Sequence, residues 1–160
     1  DWGKDRLIPD IMKGILDNNL IKIRNPNSTR PWQYVLDPLN GYLTLIEKLW
    51  LSGSEFSEAW NFGPLENDEK SVKWIVEKIT EQYSKNIRWD LDENTNPHEE
   101  NHLRLNCNKA NSRLNWLPKL NLEQGLEWTI EWYKKYEQND NIREISEQQI
   151  EKFQKLLVLS

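Results

Sequence analysis

The stretch RNPNSTRPWQYVLDPLNGYLTLIEKLW, residues 24–50, runs from a basic loop into aromatic residues and then into an amphipathic segment. Its Asp37 followed by Pro38 is typical of a helix N-cap with proline at the first helical position. Apolar residues then recur at helical spacing, at Leu39, Tyr42, Leu43, Ile46, Leu49 and Trp50. Because the preceding residues 32–35 have the composition of a strand, the stretch predicts a loop, a short strand and a helix in succession.

The same alternation of short strands and helices continues outward from this stretch. The predicted strands cover residues 21–23, 32–35, 59–62, 87–89 and 103–105. The predicted helices cover residues 8–18, 37 to about 52, a segment capped by Ser71, 108–114, 122–136 and a segment that begins at Ser146. Five short strands and about six helices predict a mixed α/β fold.

Two capping patterns divide the C-terminal part of the chain. Asn121 with Gln124, and Ser146 with Gln149, resemble capping boxes at the start of helices. Residues 137–145 between the two helices have the composition of a polar linker. We therefore predict a main region 1–136, a linker 137–145 and a terminal helix within 146–160 that docks loosely or on a partner.

The composition excludes several classes of partner. At 160 residues and a net charge of −5, the chain has the size of one domain and no bulk attraction for nucleic acid or an anionic membrane. No apolar run approaches the roughly 20 residues of a membrane helix, and the first residues do not resemble a signal peptide. The single cysteine, Cys107, favours a reducing compartment and reads as a small core residue. We expect a cytoplasmic protein that meets any anion through a local cluster of arginines.

Arg24 and Arg30 stand at the two ends of the basic loop. A guanidinium presents a planar set of donors that matches phosphate oxygens, and loops often carry ligand contacts. The pattern is therefore compatible with a phosphate contact. Charged loops are common, however, so the loop alone favours a pair of solvated charges.

The polar segment 90–102 contains both histidines of the chain, His98 and His102. Histidine beside Glu99 is compatible with metal binding or acid/base chemistry, but Pro97 disfavours the helix that would bring the two histidines together. A polar ligand contact or a loop hydrogen bond fits His98 better, and we predict no metal site. The chain also lacks GxGxxG, GxxxxGK[ST], GxSxG and HExxH, so no cofactor or nucleophile motif is present.

Six segments together resemble the C-terminal half of the CDP-glucose 4,6-dehydratases, within the extended short-chain dehydrogenase/reductase family. They occur in the family's order: DWGKDRLIPDI, the stretch 24–50, AWNFGP, SVKWIVEKI, PHEENHLRLNCNKANSRLNWLP and LEQGLEWTIEWYKKY. The resemblance covers residues 1 to about 136. It implies the substrate-binding part of a Rossmann-type dehydratase whose N-terminal Rossmann half, with its NAD site and Tyr-xxx-Lys catalytic pair, is absent from this chain.

The resemblance also implies a set of substrate-binding residues. Arg24 corresponds to a contact with the base and ribose, Arg30 to a phosphate contact, and Ser71 to the polar residue that opens the following helix. The full implied set is Asp5, Arg6, Leu7, Arg24, Arg30, Gln33, Ser71 and His98. The family places an arginine just before the position of His98, and this chain has none there. The resemblance implies no catalytic residue and no metal ligand in this chain.

The activity implied for the intact enzyme is that of a lyase in deoxysugar and lipopolysaccharide biosynthesis. Bound NAD oxidises C4 of CDP-glucose, water is lost across C5 and C6, and the hydride returns to C6. This half would supply binding and orientation, would be inactive alone, and would form a homo-oligomer when intact. The alternatives are a dehydratase or epimerase for another nucleotide sugar, and a non-enzymatic carbohydrate-binding or interaction module.

The resemblance has a consequence for the isolated chain. In the family the strand equivalent to residues 59–62 joins the Rossmann sheet, so without that half a sheet edge and the apolar face of the helix over 37–51 would be bare. We therefore predict marginal stability or self-association for this chain alone.

Overall fold

The computed structural model describes residues 2–3, 6–83, 87–92 and 100–158. Those ranges contain six α-helices: α1 Leu7–Leu16, α2 Leu36–Ser52, α3 Val72–Tyr83, α4 Asn108–Leu114, α5 Leu122–Glu137 and α6 Ile142–Val158. They also contain four strands: β1 Ile21–Ile23, β2 Thr29–Arg30, β3 Lys70–Ser71 and β4 Trp89–Leu91. The predicted mixed α/β fold is confirmed.

The described strands pair in two separate ladders. β1 runs parallel to β4, with Ile21 opposite Trp89, and β2 runs antiparallel to β3, with Arg30 opposite Lys70. Ile21 and Ile23 are buried while Lys22 between them is exposed, as the alternation of side chains along a strand requires. The short strands therefore orient individual side chains and contribute few ladder hydrogen bonds.

The main core lies between α1, β1, α3 and α5. The stripe predicted on the first helix is buried there, with Ile11 and Met12 fully excluded from solvent against Ile75, Val76 and Ile79 of α3. A second cluster joins α2 and α4 through Phe62, Leu114 and Trp116, and a third joins α5 and α6 through Trp128 and Phe153. The two smaller clusters attach the remaining helices to the outside of the main core.

Several predicted strands are wrong. Residues 32–35 are irregular, because the Trp32 N–H donates to the Arg30 carbonyl at 3.0 Å in a local turn, and the strand lies at 29–30 instead. Residues 59–62 and 103–105 are not strands in the described structure, and β4 begins two residues later than predicted. An apolar or alternating segment shows which side chains prefer burial, but a strand also needs a partner to pair with.

The start of α2 also differs from the prediction. Val35 occupies the N-cap position, and Asp37 lies inside the first turn with 1% of its surface exposed. Its carboxylate accepts the backbone N–H of Lys119 at 2.6 Å and that of Leu120 at 3.4 Å. Asp37 therefore ties α2 to the segment before α5, and it does not cap its own helix.

One of the two predicted capping boxes is confirmed. The Gln124 N–H donates to the Asn121 side chain at 2.9 Å, and the Gln124 side chain accepts the Asn121 N–H at 3.1 Å. The second is wrong, because α6 begins at Ile142 and the Ser146 hydroxyl donates to the Ile142 carbonyl inside the helix. Residues 138–141 alone separate α5 from α6, which packs on α5 through buried Phe153. The three-part division of the chain stays a prediction.

The face of α2 opposite its core contacts is apolar and exposed. Leu43 is 66% and Trp50 88% exposed, and Leu39, Tyr42, Ile46 and Leu51 are exposed beside them. This is the apolar face of the helix predicted over 37–51, the face expected to be bare in the isolated chain. Across the described ranges, none of the helices is long and apolar enough to cross a membrane.

Candidate functional site

A pocket of about 390 Å³ lies where the first turn of α1, the end of β1 and the residues around β2 meet. It brings together four residues of the implied substrate-binding set, namely Arg6, Leu7, Arg24 and Arg30. These residues are up to 24 positions apart in sequence, since Arg6 is the residue before α1 and Arg30 ends β2. Asp10, Lys22, Ile23, Asn25, Pro31, Trp32 and Val72 complete the described lining.

The pocket is cationic although the chain carries a net charge of −5. Its described lining contains four cationic side chains, from Arg6, Lys22, Arg24 and Arg30, and one carboxylate, from Asp10. The first turn of α1 adds the positive end of a helix dipole, and no described side chain caps it. This concentration of positive charge favours an anionic ligand.

The Arg30 side chain has a defined orientation at the pocket edge. Its Nη1 donates to the carbonyl of Thr29 at 2.9 Å and to that of Glu100 at 2.8 Å. The segment beginning at Glu100 is itself held to β2, because the Thr29 N–H donates to the Asn101 carbonyl at 2.8 Å and Thr29 Oγ1 lies 3.0 Å from His102 Nδ1. The guanidinium is therefore pre-oriented before any ligand arrives, which lowers the entropic cost of binding.

Trp32 supplies the large apolar wall of the pocket. Its indole Nε1 donates to the Lys70 carbonyl of β3 at 2.8 Å, and its ring also packs against the main core. A fixed indole next to cationic side chains suits a ligand that combines an aromatic base with phosphates. Sequence reasoning missed Trp32 as a pocket residue because the aromatic ring was assigned to a strand.

Lys22 and Asp10 were also missed as pocket residues. Lys22 pairs with Asp90 at 3.2 Å beside the pocket, and Asp10 lies in the first turn of α1. The signal that identifies Lys22 is the IKI alternation of β1, which turns the lysine to the side opposite the buried isoleucines.

Two residues of the implied set lie near the pocket but do not line it. The Gln33 side-chain amide donates to the Phe62 carbonyl at 2.8 Å. The Ser71 hydroxyl accepts the Trp74 N–H at 3.2 Å at the start of α3, one residue before the pocket residue Val72. Asp5 and His98 lie outside the described residues. The substrate-binding roles of all eight residues of the implied set stay predictions.

The remaining candidate groups show no catalytic arrangement in the part of the chain that the structure describes. No three His, Cys, Asp or Glu side chains there are placed to share a metal ion. The Cys107 thiol is partly buried, and burial raises its pKa, so it is less reactive than a free thiol. The pocket therefore has the chemistry of a binding site.

Comparison with known proteins decides the relationship. No protein-family model matches the chain. Over 150 residues, 94% of its length, the chain is 42% identical to the CDP-glucose 4,6-dehydratase of Salmonella typhimurium. The chain is homologous to part of CDP-glucose 4,6-dehydratase. A dTDP-D-glucose 4,6-dehydratase of Mus musculus is 26% identical over 138 residues, 82% of the chain.

Solved structures show the same fold. The dTDP-glucose 4,6-dehydratase of Bacillus anthracis, solved in complex with NAD, matches 84% of this chain at 24% identity with a TM-score of 0.61. The UDP-glucuronic acid 4-epimerase of Bacillus cereus, also in complex with NAD, matches 86% of it at 20% identity with a TM-score of 0.69. These proteins are extended short-chain dehydrogenases/reductases of the nucleotide-sugar dehydratase and epimerase type.

The match is partial on the side of the relatives. The chain spans 42% of the Salmonella dehydratase, 37% of the mouse protein and 40% of each of the two solved structures. It therefore corresponds to the smaller part of each relative.

Proposed function

We propose that this chain is the substrate-binding half of an NAD-dependent CDP-glucose 4,6-dehydratase, in which it binds the nucleotide part of CDP-glucose. The observation that carries the proposal is the cationic pocket. Arg6, Arg24 and Arg30 line it together, although the chain as a whole has a negative net charge. The 42% identity to a CDP-glucose 4,6-dehydratase supports the cytidine nucleotide over other bases. The product would be CDP-4-dehydro-6-deoxyglucose, an intermediate for deoxysugars of lipopolysaccharide.

Each pocket residue has a role in this proposal. Arg30, held by the carbonyls of Thr29 and Glu100, presents its guanidinium to the pyrophosphate. Arg24 contacts the base and ribose, and Trp32 forms the apolar wall beside the base. Arg6 and Leu7 bring the positive end of the α1 dipole toward the ligand's negative charge.

The residues of this chain do not fit an NAD site. A dinucleotide site of this kind needs a glycine-rich turn between a strand and a helix of a parallel sheet, and the sequence has no GxGxxG. Each of the two described sheets consists of two strands, which is too small for the parallel sheet of such a site. We propose that NAD and the catalytic residues belong to the part of the relatives that this chain does not span. The chain itself would bind and orient the substrate and would not turn it over.

The same proposal places the intact enzyme in the cytoplasm as a homo-oligomer. The single cysteine fits a reducing compartment. The exposed apolar face of α2 fits contact with further protein in the intact enzyme.

The proposal is tested by isothermal titration of the folded 160-residue chain with CDP-glucose, CDP, dTDP-glucose and glucose. CDP-glucose and CDP should bind, and Arg30→Ala should weaken both by roughly tenfold or more, since hydrogen bonds to charged groups contribute about 1.5–3 kcal/mol. Arg143→Ala is the matched control, because it removes the same charge from an exposed position of α6. An Arg30→Ala chain that folds and binds CDP unchanged would contradict the site assignment.

The choice of ligand separates the alternatives. Preferential binding of dTDP-glucose would favour a dehydratase or epimerase for another nucleotide sugar. Binding of glucose alone, with no effect of the nucleotide, would favour a carbohydrate-binding module.

A further inference from the structure

Tyr34 connects the pocket segment to the C-terminal helix. It follows Trp32 by two residues, yet it does not line the pocket and turns instead toward α6. Its hydroxyl donates to Gln149 Oε1 at 2.6 Å, across 115 positions of sequence. A residue four positions after Arg30 is therefore held by a hydrogen bond to the last helix, α6.

Gln149 is fully committed to this contact. It is 7% exposed, and its Nε2 donates to the Trp128 carbonyl of α5 at 2.8 Å while its Oε1 accepts from Tyr34. The Trp128 carbonyl can only accept, so the NH2 group of the Gln149 amide must face it. The amide oxygen then faces the Tyr34 hydroxyl, and this is the one orientation that satisfies both partners. Removing either partner leaves a buried polar group unpaired.

The surrounding packing is fitted to the Tyr34 ring. The ring meets Trp128 edge-on, with centroids 5.5 Å apart. A Cβ at Gly125 of α5 would lie 3.1 Å from the Tyr34 Cβ, so the helix approaches this closely because position 125 is a glycine. Burial, with a smaller contribution from Glu131, raises the pKa of Tyr34 to about 12, so the hydroxyl remains a donor at neutral pH.

Three consecutive side chains attach the segment after Arg30 to three different parts of the molecule. Trp32 donates to Lys70 of β3, Gln33 donates to Phe62, and Tyr34 donates to Gln149 of α6. The ladder itself contributes little, since β2 has two residues. Side-chain hydrogen bonds therefore replace strand pairing as the means of holding this segment.

We infer that α6 is a positioning element of the pocket: Gln149 holds Tyr34 and thereby fixes residues 30–34, which present Arg30 and Trp32 to the ligand. The inference rests on the proposed nucleotide-sugar site and assigns that site a required C-terminal part. Tyr34 and Gln149 do not line the pocket and act through the residues that do.

The test compares two deletions of the contact with a control on the same helix. Tyr34→Phe keeps the ring packing and removes the hydroxyl, and Gln149→Leu removes the acceptor. Phe153→Leu is the control. Phe153 is buried in the same cluster of α6, but its side chain has no hydrogen-bonding atom and so forms no hydrogen bond with residues 30–34. Each folded 160-residue variant is titrated with CDP and melted.

The positioning role predicts a separation between affinity and stability. Tyr34→Phe should raise the dissociation constant for CDP about threefold to tenfold, the range expected for one neutral hydrogen bond. Phe153→Leu should lower the melting temperature and leave the CDP affinity unchanged. Equal loss of affinity in the control, or unchanged affinity in Tyr34→Phe, would overturn the inference. If Gln149→Leu does not fold, Tyr34→Phe decides the question alone.

Hydrogen–deuterium exchange without ligand keeps the two proposals distinguishable. The Trp32 amide, which donates to the Arg30 carbonyl at 3.0 Å, should exchange faster in Tyr34→Phe than in the parent chain and no faster in Phe153→Leu. If the parent chain binds no nucleotide, the proposed function fails while this measurement still reports on the link. Unchanged exchange at Trp32 in Tyr34→Phe would refute the link itself.

Discussion

Replacing Asp37 by alanine should destabilise the fold more than any surface substitution on the same helix. The change removes the acceptor of the Lys119 N–H at 2.6 Å and the weaker acceptor of the Leu120 N–H at 3.4 Å. Each buried donor left unsatisfied costs about 1–3 kcal/mol. Removing the buried carboxylate also removes its desolvation cost, so we expect the free energy of unfolding to fall by about 2 kcal/mol in total. For a chain of this size that corresponds to a fall in melting temperature of roughly 4–8 °C.

The pH dependence of this effect has a defined sign. Burial raises the pKa of Asp37, and the hydrogen bonds from the Lys119 and Leu120 backbone offset part of the rise. The folded state therefore holds the proton more tightly than the unfolded state, so the stability that Asp37 contributes is largest in acid and falls as pH rises through the raised pKa. The difference between parent and Asp37→Ala should be larger at mildly acidic pH than at neutral pH.

Thermal melts followed by circular dichroism at both pH values measure the effect. Glu47→Ala, at an exposed position of α2, is the matched control and should melt within about 1 °C of the parent, since exposed substitutions usually change stability little. A melting temperature of Asp37→Ala equal to that of the control would refute the reasoning. A parent–variant difference that grows with pH would show that the carboxylate is stabilised as an anion.

Two further predictions concern α2. Gly41→Ala should lower the free energy of unfolding by about 1–3 kcal/mol in urea titrations, although alanine is the better helix former, because its Cβ would overlap the Phe62 ring; a stabilised variant would show that the ring moves aside. Leu43→Glu combined with Trp50→Glu should shift the isolated chain toward monomer in sedimentation velocity, since both side chains are exposed on the apolar face; an unchanged distribution would place self-association elsewhere.

Local sequence patterns predicted the helices well. The stripe of α1, the capping box at Asn121 and the bounds of α4 depend on residues within one or two turns of each other, and all three are found in the structure. These successes share a cause, because helix periodicity and capping are properties of neighbouring residues. The implied arginines also fall within one pocket, but their substrate-binding roles stay predictions.

The failures share the opposite cause. Asp37 was assigned to its own helix, but its carboxylate binds backbone 82 positions away. Gln149 was assigned to a capping box, but its amide bridges Tyr34 and Trp128. Asp, Ser and Gln side chains form equally good local and distant hydrogen bonds, so their position next to a helix start does not decide which one the fold uses.

The same contrast explains how the pocket is held. Beside the first turn of α1, its walls come from β1, from the two-residue strand β2 and from the irregular residues that follow, so regular pairing gives this part of the pocket little support. The support comes instead from hydrogen bonds that join Arg30 to Glu100, Trp32 to Lys70 and Tyr34 to Gln149. Because each bond reaches a different element, loss of any one of these bonds alters the pocket through a residue that does not line it. Affinity for the nucleotide should therefore depend on the C-terminal helix, which a reading of the pocket motifs alone leaves out.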